Sequence, residues 1–123
     1  MDSLEQTLTY PNMRSELRRY LMSLANSRDP EKGWRAASHL GGELDFAIQF
    51  LFDDTVLAKD ARKAVGVFLL DETEAAFIAD LVQKLDAVLT SKGTSLSDKD
   101  AVGLPAWENV AHAAQKALDT LEF

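Results

Sequence analysis

The stretch Glu43-Leu44-Asp45-Phe46-Ala47-Ile48-Gln49-Phe50-Leu51-Phe52-Asp53-Asp54 decides the fold. Wound as a helix at about 100° per residue, its apolar side chains Leu44, Phe46, Ala47, Ile48, Phe50, Leu51 and Phe52 cover an arc of about 240°. Only Asp45, Gln49 and Asp53 remain on the other stripe. An ordinary surface helix has one apolar face, so a helix this apolar is either enclosed by others or keeps a second face for a partner. The expectation is a largely buried central helix covered by amphipathic neighbours.

Those neighbours are legible on both sides. Toward the N-terminus, Pro11 suits a first helical turn, and Met13, Leu17, Tyr20, Leu21 and Leu24 recur at spacings of three and four, which predicts a helix over 11–26. Its other side carries Arg14, Arg18 and Arg19 with Glu16, a pattern expected of a solvated face. Asp29-Pro30 reads as the cap and first turn of a short helix through Trp34 to Ser38, weakened by Gly33, and Gly41-Gly42 form a corner before the central element. Residues 1–10 show no period and read as a loose lead-in to a single domain over 11–123.

Toward the C-terminus, Ala61, Ala64, Val65, Phe68 and Leu69 predict a helix over 57–69, with Gly66 expected where two helices approach closely. Asp71 and Glu74 have capping-box spacing, and Ile78, Leu81, Val82, Leu85, Val88 and Leu89 then mark one face of a long helix that Lys92-Gly93 stops. After a polar connection with a short turn around 97–100, Pro105 opens a last helix with Trp107, Val110, Ala111, Ala114, Ala117, Leu118 and Leu121 inward. No strand alternation, hairpin signal or fixed-period repeat interrupts the pattern. The fold class is all-α, a single-domain bundle of about five main helices.

Composition narrows the function. A length of 123 residues suits one domain, and 46% hydrophobic with 27% charged residues is ordinary for a globular protein. The absence of cysteine excludes disulfides, thiolate metal sites and cysteine nucleophiles and fits a reducing compartment. The first residues show neither the basic nor the apolar region of an export signal, and no apolar run nears the roughly 20 residues that cross a bilayer. The expectation is a cytoplasmic protein with no membrane association.

Net charge is −7, unevenly spread: residues 1–35 hold six bases and five acids, +1, so the remainder carries −8. Acidity keeps a small protein soluble, and it also suits a basic protein partner better than a phosphate backbone. Arg14, Arg18 and Arg19 with Tyr20 form the one basic stripe, too interspersed with acids to make a nucleic-acid footprint.

Candidate sites are few. Asp53 and Asp54 with Asp71, Glu72 and Glu74 would suggest a divalent cation if they converged, yet capping explains most of them. His39 lies in the corner before Gly41, and His112 falls four residues after Glu108, but neither belongs to a zinc or di-iron motif. Nucleophile elbow, Walker loop and dinucleotide fingerprint are all missing, so no catalytic residue, metal site or cofactor is nominated. Trp34 and Arg35, with the surplus rings Phe46 and Phe50, are the candidate partner-binding residues, because interfaces favour exposed Trp and Arg and an apolar face beyond what the core needs.

The order of features resembles a family of small helical bacterial proteins uncharacterised in function. The matching features are an arginine-bearing first helix, Asp-Asp-Thr-Val-Leu at 53–57, Val-Gly-Val-Phe-Leu at 65–69, Asp-Glu-Thr-Glu-Ala-Ala at 71–76, Lys-Leu-Asp-Ala-Val-Leu at 84–89 and Leu-Pro-Ala-Trp-Glu-Asn-Val at 104–110. They span most of Met13 to Leu121 and are helix caps and core positions, so the resemblance implies an all-α cytoplasmic domain and transfers no functional residue. By analogy, proteins of this kind include immunity-like and accessory partners of toxins. The expected function is a non-enzymatic protein–protein interaction domain, with homodimerisation through Phe46 and Phe50 as a variant. A small-molecule binder or hydrolase with an inter-helix pocket near His39 and Trp34 is the alternative.

Overall fold

The computed structural model describes residues 8–36, 41–92 and 96–121. Helix α1 spans Pro11–Ala25; α2 spans Glu43–Ile48 and runs on into a π-helical turn, Gln49–Asp54. Helix α3 covers Leu57–Asp60 and tightens into a 3-10 turn, Ala61–Ala64; α4 is Glu72–Lys92, α5 is Asp98–Val102 and α6 is Trp107–Leu121. Among the described residues there is no strand, only an isolated bridge between Val65 and Leu69, and no helix is long and apolar enough to cross a membrane. The chain is an all-α single domain, as its periodicity predicts.

Helix α6 has the most extensive packing, lying against both α1 and α4. Ala113, Ala114 and Ala117 on its buried face are small enough to let both neighbours come close, while Trp107, Val110 and Leu121 fill the space at its ends. The apolar stretch 44–52 buries Leu44, Ala47, Phe50 and Leu51 completely or nearly so, leaves Ile48 and Phe52 half-buried, and leaves Phe46 57% exposed. It is thus covered over a broad side rather than all round.

The largest departure from expectation is Arg14. Far from lying on a solvated face, it is fully buried and in phase with Leu17, Leu21 and Leu24. Its guanidinium grips Glu74 of α4 bidentately, Nη1 donating to Oε1 at 2.8 Å and Nη2 to Oε2 at 2.7 Å. Nη1 also donates to the Phe68 carbonyl at 3.2 Å and Nη2 to the Leu121 carbonyl at 3.0 Å. Glu74 Oε1 accepts the Leu70 amide at 2.7 Å as well, so one ion pair joins α1, the turn before α4, α4 itself and the end of α6. Buried charges persist only when paired and hydrogen-bonded, and here both are.

One predicted helix is replaced by turns and another is cut short. Residues 30–36 form no helix, because the Asp29 carboxylate takes the Glu31 and Lys32 amides at 2.7 and 2.9 Å and the chain closes on itself through Gly33 N donating to Asp29 O and Trp34 N to Ser27 O. A Cβ on Gly33 would run into the carbonyl oxygens of Asp29 and Ser27, so only glycine fits this close approach. The helix expected through Leu69 stops at Ala64, because Gly66 turns left-handed at φ 85°. Nothing lies within 4 Å of a Cβ built there, so Gly66 serves the turn rather than the helix contact expected of it. Leu8, expected in the loose lead-in, is buried, and the Thr9 and Tyr10 amides donate to the Gly66 and Val67 carbonyls.

The Gly41-Gly42 corner forms as expected, at φ 89° and 87°. The start of α2 has no cap of its own; Asp98, at the start of α5 and 6% exposed, reaches across and accepts the Glu43 amide at 2.9 Å and the Leu44 amide at 3.0 Å.

Candidate interaction groove

An open groove of about 600 Å³ runs between α1, the 26–36 loop and the start of α2. Its floor is held by hydrogen bonds from the loop. Trp34, 2% exposed, tilts against Trp107 with ring centroids 5.4 Å apart and donates its Nε1–H to Ser23 Oγ at 3.1 Å. Trp107 donates its own Nε1–H to Ser27 Oγ at 2.8 Å, and the Ser27 hydroxyl donates to the Leu24 carbonyl at 2.6 Å. Both indoles therefore bury their apolar bodies with their single donors satisfied.

The walls carry the exposed groups. Ser23 Oγ donates to Glu43 Oε2 at 3.2 Å, linking α1 to α2 across the groove. Tyr20 packs on Phe50 at 5.0 Å and lies beneath the Arg19 guanidinium, 5.7 Å from the ring centroid. Met22 at 48% and Phe46 at 57% are two of the four large hydrophobics exposed among the described residues, and both line this groove. Arg19 and Lys32 supply two cations to its lining and Glu43 one anion, in a chain whose net charge is −7.

The candidate partner residues read from the sequence do not form one surface. Trp34 and Phe50, named as candidates for a partner surface, belong to the core: Phe50 is 3% exposed, held between Tyr20 and the ring of Phe68 at 6.4 Å. Phe46 lies one helical turn back along α2, beyond that cover, and stays outside. Arg35 is exposed but its guanidinium lies beside Gly103, at the end of α5. Arg14, the first residue of the basic stripe, is buried, which leaves Arg18 half-buried and Arg19 exposed.

The described candidate ligand residues, Asp53 and Asp54 on one side and His112 on the other, are likewise apart. Asp53 and Asp54 are exposed at the end of the π-helical turn, where Thr55 Oγ1 donates to the Phe50 carbonyl and accepts the Leu57 amide. His112 is exposed on α6 beside Asp80, Lys84 and Lys116, in a depression of about 100 Å³. His39 lies outside the described residues. Among the described residues no three His, Asp or Glu side chains come together as metal ligands would.

Met22, Lys32 and Glu43 were not among the residues the sequence nominated. Met22 carried a signal: it is apolar but out of phase with the Leu17, Leu21 and Leu24 stripe, so a straight helix must present it outward.

Fold and groove together define a small all-α single domain with an open, aromatic-floored surface cleft. The chain belongs to a family described as a domain of unknown function, DUF7945, whose model matches residues 8–123. No curated protein and no solved structure matches it.

Proposed function

We propose that this protein is a non-enzymatic helical interaction domain of the bacterial cytoplasm that binds a partner protein through the α1–α2 groove, as an immunity-like or accessory protein does. The observation that carries the reading is the pairing of Met22 and Phe46, exposed and adjoining one groove in a domain whose other large apolar side chains are almost all packed. The lack of cysteine supports the compartment. The acidic part of the chain offers a basic partner a second surface near Asp53 and Asp54, where the exposed large hydrophobic among the described residues is Val56, whereas Met22 and Phe46 adjoin one groove, so the anchor is assigned there.

Affinity capture from the organism's own extract with the wild-type chain and with a Met22→Ser/Phe46→Ser variant tests the reading. A partner held by the wild type is lost by the variant at unchanged melting temperature; a partner that the variant keeps overturns the assignment. A small-molecule site is the second reading, favoured by the groove's volume, which falls within the roughly 300–1,000 Å³ of ligand pockets. A compound that occupies it raises the melting temperature of the wild type and not that of the variant.

A further inference from the structure

The groove's charge differs in sign from the molecule's, and that difference selects a partner. Residues 1–35 sum to +1 and the rest to −8, but Arg14 is neutralised in the core by Glu74, so the sign of the groove rests on its own lining. Within the lining, Arg19 and Lys32 face one carboxylate, Glu43, and that carboxylate already accepts the Ser23 hydroxyl. Arg19 makes no ion pair among the described residues; it rests over the Tyr20 ring, which leaves its guanidinium donors directed to solvent or to a guest. The apolar part of the lining lies alongside: Met22 on α1 and Phe46 on α2.

We infer that the groove receives a short acidic segment of another protein, in which a large apolar side chain seats between Met22 and Phe46 and flanking carboxylates meet Arg19 and Lys32. This deepens the interaction reading above and rests on it. Arg takes a carboxylate in a bidentate fork, and the compact lysine charge on the loop wall adds a second point of attraction.

The test uses synthetic peptides of about a dozen residues carrying two leucines at helical spacing, one version with glutamates at every charged position and one with lysines. Binding to the isotope-labelled full chain is followed by backbone amide shifts. The glutamate peptide moves the amides of Arg19, Met22 and Phe46, binds at least about tenfold more tightly than the lysine peptide, and weakens as salt rises. Arg19→Glu with Lys32→Glu reverses that preference, and because both residues are exposed the thermal melt is unchanged. Equal or tighter binding of the lysine peptide overturns the inference, as does binding elsewhere, no binding, or a concentration-dependent dimer in light scattering that buries Phe46. If the peptides fail while the wild type still captures a partner that Met22→Ser/Phe46→Ser loses, the acidic guest is wrong and the groove reading stands.

Discussion

At the scale of single residues, the most consequential contact is the one between Arg14 and Glu74. Removing one member leaves the other charge buried and uncompensated, which costs about 3–5 kcal/mol; replacing both with apolar residues of similar volume removes that penalty. Urea melts of Arg14→Met, Glu74→Gln and the combined Arg14→Met/Glu74→Leu chain should therefore show two large losses and a substantial recovery. Single variants within about 0.5 kcal/mol of the parent would mean that the pair is not buried in solution. The pair was open to reading in the sequence. Arg14 sits three before Leu17 and seven before Leu21, and Glu74 four before Ile78 and seven before Leu81, so each lies on an apolar stripe. Opposite charges placed on two inward stripes have little alternative but to meet. The spacing of Arg14 to Arg18 suggests a solvated face, but the phase of Arg14 against the leucines turns it inward.

At the scale of elements, boundaries follow local chemistry where the chain caps itself and escape sequence reading where another element supplies the cap. Helix α4 starts where Asp71 Oδ1 accepts the Glu74 amide at 3.0 Å, and α5 where Ser97 Oγ accepts the Asp100 amide at 3.1 Å; both are short-range and both were legible. The start of α2 is different, because Asp98 acts across 55 residues of sequence. Asp98→Ala should cost about 1 kcal/mol and raise hydrogen exchange at Glu43 and Leu44 well beyond that at the other helix starts. Uniform exchange would remove the cross-chain cap. Residues 30–36 turn instead of forming the start of the expected short helix because Asp29, a good cap in either case, here serves a turn. Backbone donation, from Lys32 first and Glu31 next, holds its carboxyl below its ordinary value. A group with its pKa depressed by folding lends its stabilisation above the ordinary value and loses it as pH falls through the folded one. Acid titration followed at the Glu31 and Lys32 amides should thus show the turn persisting through the ordinary carboxylate range and loosening only below it. Loosening at or above the ordinary value contradicts the hydrogen bonds.

At the scale of the whole molecule, periodicity was enough to give the all-α class, because α1, α4 and α6 each keep one apolar face in phase over several turns. It was not enough to give the arrangement. Counting apolar residues made 44–52 the middle of the bundle, whereas alanines decide the packing: α6 lies against two helices because Ala113, Ala114 and Ala117 permit it. The groove escaped the sequence for a related reason. Whether a surplus aromatic ring is covered depends on where a neighbour from another segment ends, and Tyr20 and Phe68 cover α2 at Phe50 but not at Phe46.

That asymmetry is the claim on which the functional reading stands, and a pair of urea melts measures it most directly. Phe50→Ala, which empties the space between Tyr20 and Phe68, should lower stability by about 3–5 kcal/mol, while Phe46→Ala should change it by less than about 0.5 kcal/mol. Equal losses at the two positions would place both rings in the core and leave the groove without its anchor.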